Sequence, residues 1–167
     1  DSFEISPDSR YVVYVCERLS DNVLELRSVP ISGLPLEARL SPDWTAGNGI
    51  QEYVISPDSA RVALRGEFDV DNISELWSAP IAGPTGATVK LNPPPVLNGE
   101  VDEMRIAPDS SRIVFFGDVG QVGRPEYWSV PIAGPGASAI RLNPAPAAGA
   151  PVTGGSISIS PDSSRVV

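Results

Sequence analysis

No histidine occurs anywhere in the 167 residues. A Ser-His-Asp triad and every histidine-ligated metal site are therefore excluded within this chain. Cysteine is almost as scarce: Cys16 stands alone, so no internal disulfide can form. It lies in the apolar run YVVYVC and reads as a small core side chain rather than a reactive thiol. Positive charge is thin as well, with 12 Lys and Arg against 21 Asp and Glu, a net charge of −9. That balance lacks the basic footprint of sequence-independent nucleic-acid binding, and it opposes docking on anionic lipid. No apolar run reaches the roughly 20 residues of a membrane span, so no membrane insertion is expected. No signal peptide is visible, and the chain opens on Asp1, which reads as a processed form or a segment of something longer.

Proline and glycine, in contrast, are plentiful, at 18 and 15. Interior proline removes a helix hydrogen bond and clashes with the preceding turn, so long helices are not expected. The punctuation is periodic. Ile5-Ser6-Pro7-Asp8-Ser9 returns as Ile55-Ser56-Pro57-Asp58-Ser59, then as Ile106-Ala107-Pro108-Asp109-Ser110 and Ile159-Ser160-Pro161-Asp162-Ser163, at steps of 50, 51 and 53. The same slide lays Ser28, Pro30, Ile31 and Gly33 on Ser78, Pro80, Ile81 and Gly83, and carries ELWSAPIAG onto EYWSVPIAG.

Within each repeat the pattern reads as four short strands. An alternating segment such as YVIS precedes the Ser-Pro-Asp-Ser turn, where proline presets φ and aspartate bonds back to nearby amides. A β-branched and aromatic strand follows, then a polar hairpin, a strand such as SELWSAPI, a Gly/Pro turn, and a last short strand such as TVKLN. Four antiparallel strands per repeat of this length describe a β-propeller blade. The expected fold is all-β: blades at 2–52, 53–103 and 104–156, with 157–167 opening a fourth. Ile5, Ile55, Ile106 and Ile159 are expected to be buried at equivalent places.

The combination of ISPDSARVAL, an acidic loop and ELWSAPIAG resembles the TolB-like propeller repeat family, whose hallmark is Ser-Pro-Asp-Gly before an Arg/Lys-led strand. The likeness runs through all repeats. Arg61, Arg112 and Arg165 match the basic position, and Tyr11 replaces it in the first. Where the family turn carries glycine, this chain has Ser9, Ser59, Ser110 and Ser163. The resemblance implies fold rather than activity, since such repeats occur in periplasmic, peptidase-accessory and surface proteins. With the acidic composition, it implies an extracellular or cell-envelope location.

The candidate sites are few. Pro7, Asp8, Pro57, Asp58, Pro108, Asp109, Pro161 and Asp162 are structural turn residues, because a catalytic pair breaks repeat symmetry and these keep it. No catalytic residue is therefore assigned, and the chain is expected not to be an enzyme. Asp69, Asp71 and Asn72 in GEFDVDNISE supply oxygens of the kind calcium takes, although calcium needs six to eight converging ligands and repeat three lacks these acids. No other cofactor is expected. Asn72-Ile73-Ser74 fits the N-glycosylation pattern on a loop. Trp77 and Trp128 share a register that suits packing between blades, and Trp44, in a linker, has no counterpart.

Three blades do not close a ring, which takes about four to eight. Ser158, Ile159, Val166 and Val167 begin a sheet whose remaining strands must come from elsewhere, and an unpaired sheet edge recruits partners. The expected partners are other copies of the chain or further repeats of it. Two function classes stay open. One is a self-associating structural repeat protein, building a ring or filament. The other is a piece of a closed propeller that binds a peptide or small ligand, or that serves a peptidase.

Overall fold

The computed structural model of the chain describes residues 3–17, 24–33, 37–43, 49–93, 99–144 and 156–167. Among these residues, twelve strands form three four-stranded antiparallel sheets, each in plain chain order. The first holds β1 (Phe3–Ile5), β2 (Tyr11–Glu17), β3 (Leu24–Pro30) and β4 (Ala38–Arg39). The second holds β5 (Gly49–Ile55), β6 (Arg61–Glu67), β7 (Glu75–Pro80) and β8 (Val89–Lys90). The third holds β9 (Val101–Ile106), β10 (Arg112–Gly117), β11 (Glu126–Pro131) and β12 (Ile140–Arg141). The helical content among the described residues is one 3-10 turn, Gly136–Ser138. The long second and third strands are rich in β-branched and aromatic residues, which fit a pleated, packed surface.

The sheets begin earlier than the sequence repeats. The boundaries expected at 52/53 and 103/104 fall inside β5 and β9, which start at Gly49 and Val101. A register shift in each pair extends the strand backwards, between Ile50 and Glu52 and at Phe116/Gly117. Glycine makes this possible: a Cβ on Gly66 would stand 2.2 Å from Gly49 O, and one on Gly117 2.2 Å from Glu100 O. Only a residue without a side chain admits so close a backbone.

The hydrophobic core lies between sheets. Val13, Leu26 and Leu40 of the first sheet cluster with Ile55, Val62, Leu64 and Phe68 of the second. Ala63, Leu76 and Leu91 of the second cluster with Met104, Ile113 and Phe115 of the third. Val114 and Phe116 then receive Ile157 and Ile159. The second and third sheets thus bury a leading face against the sheet before and a trailing face against the chain that follows. The fourth sheet begins with a bridge between Ile159 and Val166, flanked by reciprocal Ser158–Val167 backbone bonds of 3.0 and 2.8 Å.

Equal burial of the four turn isoleucines does not hold. Ile55 is buried, Ile106 and Ile159 are half-buried, and Ile5 is 49% exposed. The physical reason is the stack itself. This isoleucine sits on the leading face, and among the described residues no sheet lies before the first.

Candidate functional site

The three Ser-Pro-Asp-Ser turns and the Ala107-Pro108-Asp109-Ser110 turn are built on one plan. In the first, Ser9 N–H donates to Ser6 O at 2.8 Å, while Asp8 Oδ1 accepts from the Arg10 amide at 3.0 Å and the Ser6 hydroxyl at 2.6 Å. Ser56 and the Ala60 amide serve Asp58 the same way, at 2.6 and 3.0 Å. Ser160 and the Ser164 amide serve Asp162, at 2.6 and 3.1 Å. In the third turn Ala107 has no hydroxyl, and Ser111 supplies one at 2.8 Å. The Ser6 hydroxyl, the Ser111 amide and the Ser160 hydroxyl are the main groups holding Asp8, Asp109 and Asp162 below the usual carboxylate range. At Asp58 burial pushes the other way, and the Ser56 hydroxyl with the Ala60 amide outweighs it.

The last serine of each turn occupies the left-handed region, with φ of 59°, 61°, 61° and 59° at Ser9, Ser59, Ser110 and Ser163. That conformation favours glycine and costs an ordinary residue energy. The hydroxyl explains the choice. Asp8 N–H donates across the gap to Ser59 Oγ, Asp58 N–H to Ser110 Oγ, and Asp109 N–H to Ser163 Oγ, each at 3.0 Å. Each turn is thereby fastened to the next, by a bond that glycine cannot accept.

A second set of bonds runs parallel. Ser28 Oγ donates to Ile81 O and Ser78 Oγ to Ile132 O, both at 2.5 Å and both buried. The equivalent Ser129 accepts from Arg112 Nε at 2.7 Å, but its own proton reaches no carbonyl of a following sheet among the described residues. Within each sheet a buried glutamate pins the two-residue outer strand. Glu25 holds Arg39 at 3.6 Å, Glu126 holds Arg141 at 3.0 Å, and Glu75 holds Lys90. These repeated acids are thus engaged in structural ion pairs.

Both ends of this ladder stand open among the described residues. At the head, Ser9 Oγ accepts no amide and Ile31 O accepts no hydroxyl. Ser9, Arg10, Tyr11, Pro30, Ile31 and Ser32 line a groove of about 490 Å³ there. One blade later, Ser59 and Ile81 at the corresponding places hold the bonds from Asp8 and Ser28. At the tail, Tyr127, Leu142, Asn143, Val166 and Val167 line a cleft of about 260 Å³. Ile159 turns back onto the third sheet, whereas Val167 is 91% exposed.

The other expected site residues lie apart from the ladder. Asp69, Asp71 and Asn72 occupy the β6–β7 hairpin but do not form a calcium cage. Asp69 Oδ2 is taken by the Lys90 ammonium at 2.8 Å, and Asp71 faces its neighbour Asn72 Nδ2 at 3.0 Å. Among the described residues, no group of three or more His, Cys, Asp or Glu is arranged for a metal ion. Asn72 is exposed at the tip with φ 58°, while the sequon's Ser74 is buried and donates to Gln51 Oε1 at 2.8 Å. Trp77 packs on the first inter-sheet cluster and Trp128 on the second. Trp44 lies outside the described residues. Cys16 is half-buried, and burial pushes its thiol up, away from the reactive thiolate.

Sequence reasoning missed the two serine sets. Their signal was there: a hydroxyl at each place where the resembled turn has glycine, and Ser28, Ser78 and Ser129 in one register.

In structure, the chain is similar to TolB from Acinetobacter baumannii, with a TM-score of 0.53 and 18% identity, covering 99% of this chain and 36% of that one. A putative TolB from Agrobacterium tumefaciens gives a TM-score of 0.35 at 16% identity, over 87% of this chain and 62% of that one. The chain thus spans about a third of the first protein's length. No protein-family model matches the sequence, and no curated protein matches it. The first likeness establishes the fold, an array of TolB-like propeller blades.

Proposed function

We propose that this array of TolB-like propeller blades is a non-enzymatic structural protein that associates with copies of itself, head to tail, in the bacterial envelope or outside the cell. The observation that carries the reading is the blade-to-blade ladder, which repeats the same turn-to-turn bond at 3.0 Å from each blade to the next. A joint that repeats within a chain suits repetition between chains, and stacking with a constant rotation closes a ring or continues as a filament. The absence of histidine and the ion-paired state of the repeated glutamates support a role without catalysis.

The test is the mass and shape of the purified 167-residue chain across a dilution series, by light scattering and electron microscopy. Rings or elongated particles that grow with concentration are expected. Deleting 156–167 should abolish them while leaving three folded blades. A chain that stays monomeric at every concentration overturns the proposal.

A second reading draws on the 36% coverage of the TolB chain. In it, these blades are part of a closed propeller that binds a peptide or small ligand at its mouth, or that accompanies a peptidase. A longer native chain with enough blades to close would favour it.

A further inference from the structure

We infer that the Arg61 guanidinium, in the seam between the second and third sheets, is a binding point for a singly charged carboxylate. This role is independent of self-association.

Arg61 opens β6 and alternates with Ala63, which lies in the cluster between these two sheets. Its Nε and Nη2 donate to the Ser78 hydroxyl at 3.3 and 3.0 Å, and that hydroxyl gives its own proton to Ile132 O. One edge of the fork is thus fixed by a neutral oxygen. The other edge, Nη1 with the second Nη2 proton, meets no partner among the described residues. A four-stranded sheet flanks the seam on each side, so these are the surroundings of an internal joint.

The chain is rich in acids, 21 against 12 bases, yet among the described residues none reaches Arg61. Arg27, Arg39, Arg65, Lys90, Arg105 and Arg141 each meet a carboxylate. Arg61 is half-buried, and burial pushes its guanidinium down with no neighbouring charge to oppose it. A guanidinium stays charged even so, and a partly buried charge without a counter-ion is costly. An arriving carboxylate accepts two parallel N–H bonds from the open edge and neutralises the site. One cation matches one negative charge, and the net charge of −9 opposes polyanions.

The first seam supplies the contrast. There Tyr11 holds the place of Arg61 and packs on the cluster beneath, while Ser28 still donates to Ile81 O. The serine rung therefore forms without a cation beside it, and the joint does not require Arg61.

The test is an NMR titration of the full chain with sodium acetate, against sodium chloride at equal ionic strength. The Arg61 Nε–H and Ser78 amide signals should shift saturably, half-complete at roughly 10–100 mM, as suits one charge-assisted pair. The exposed Arg10 and Arg124 should shift no more with acetate than with chloride. Arg61→Tyr copies the first seam, so the fold is retained, and it should abolish the Ser78 shift. N-acetyl-dialanine and its amide then separate the sources of the carboxylate. Binding tighter than acetate by the free acid alone assigns the site to a peptide C-terminus, and binding no tighter assigns it to small free acids. An Arg61 shift no larger than that of Arg10, or a Ser78 shift that survives Arg61→Tyr, overturns the site. Tighter binding of phosphate than of acetate overturns the carboxylate class.

Discussion

The first and second sheets share a turn and a strand plan, yet their leading faces differ in kind. Across the first the row runs Phe3, Tyr14, Arg27, Arg39, and across the second Tyr53, Leu64, Trp77, Lys90. Leu64 is fully buried and Trp77 packs beside it, under the first sheet. In the first row the Tyr14 hydroxyl instead donates to Glu37, and Arg27 bridges Glu37 and Glu25 at 3.0 and 2.7 Å. Burial, then the hydrogen bond to Glu37 and its charge, pushes the Tyr14 phenol up to about 12, which keeps it a donor. Repetition therefore governs the turn, and the neighbouring sheet governs the face. The leading face of the first sheet is polar along its outer strands, where Tyr14, Arg27 and Arg39 stand in place of Leu64, Trp77 and Lys90. Its apolar part is Phe3 and the row Ile5, Val12, Val29.

The sharpest way to break this comparison is to truncate the same place in both rows. Leu64→Ala should cost about 2–5 kcal/mol, since it opens a cavity between two sheets. Tyr14→Ala should cost under about 1 kcal/mol, as expected of a partly exposed site. Urea unfolding of the two variants side by side decides it, and equal losses would mean that both faces are covered.

Next in size are the serines that reach across. Ser78→Ala leaves Ile132 O buried without its donor and should cost about 1–3 kcal/mol. Ser129→Ala strips no carbonyl of a partner and should cost under about 1 kcal/mol. The same unfolding assay ranks them, and a reversed order would refute the account of this bond.

Smaller still is the exchange of serine for glycine in the turns. Ser9→Gly should raise stability by about 0.5–1 kcal/mol, because it relieves left-handed strain and forfeits no internal bond. Ser59→Gly gains the same relief but loses the Asp8 amide's acceptor, so it should come out near zero. A gain of equal size at both positions would show that the Ser59 rung carries no weight.

The smallest effect is on pH dependence. Asp8, Asp58, Asp109 and Asp162 titrate low in the folded chain, so their stabilisation is present above the ordinary carboxylate range and disappears as pH falls through their lowered values. Glu100 and Asp102 are raised, first by burial, then by their mutual repulsion or by Asp118. Their sign is opposite: they burden the folded state above their raised values, and protonation relieves that burden. Thermal stability should therefore rise slightly as pH drops from neutrality, then decline below about pH 4. Glu100→Gln with Asp102→Asn should raise the neutral Tm by on the order of a degree and abolish the rise. An unchanged profile in a melting series would remove these two acids from the account.

What the sequence made legible was local. Pro7 and the Asp8 carboxylate act within their own turn, so ISPDS announced a strand–turn–strand wherever it appeared. What escaped depended on distant chain. Alternation told which side Ile5 points to but not that no described sheet lies there. The loop acids offered oxygens of the kind calcium takes, but nothing local showed that Lys90, 21 residues from Asp69, takes one of them. The serines at the left-handed position looked like a mere departure from glycine, because the amide each one accepts belongs to another repeat.

The three turn-to-turn bonds join residues 51, 52 and 54 positions apart, yet each is 3.0 Å long. The stretch of chain between them is therefore free to lengthen without disturbing any contact, at an entropic cost of only about 0.6 kcal/mol per doubling. Heredity can exploit that slack. An in-frame duplication of one blade inserts a new amide and a new hydroxyl together, so the copied unit brings the means of its own attachment. Drift in connector length between copies leaves the joint intact. A lineage built this way can change its number of blades by unequal recombination alone, without first evolving a new interface.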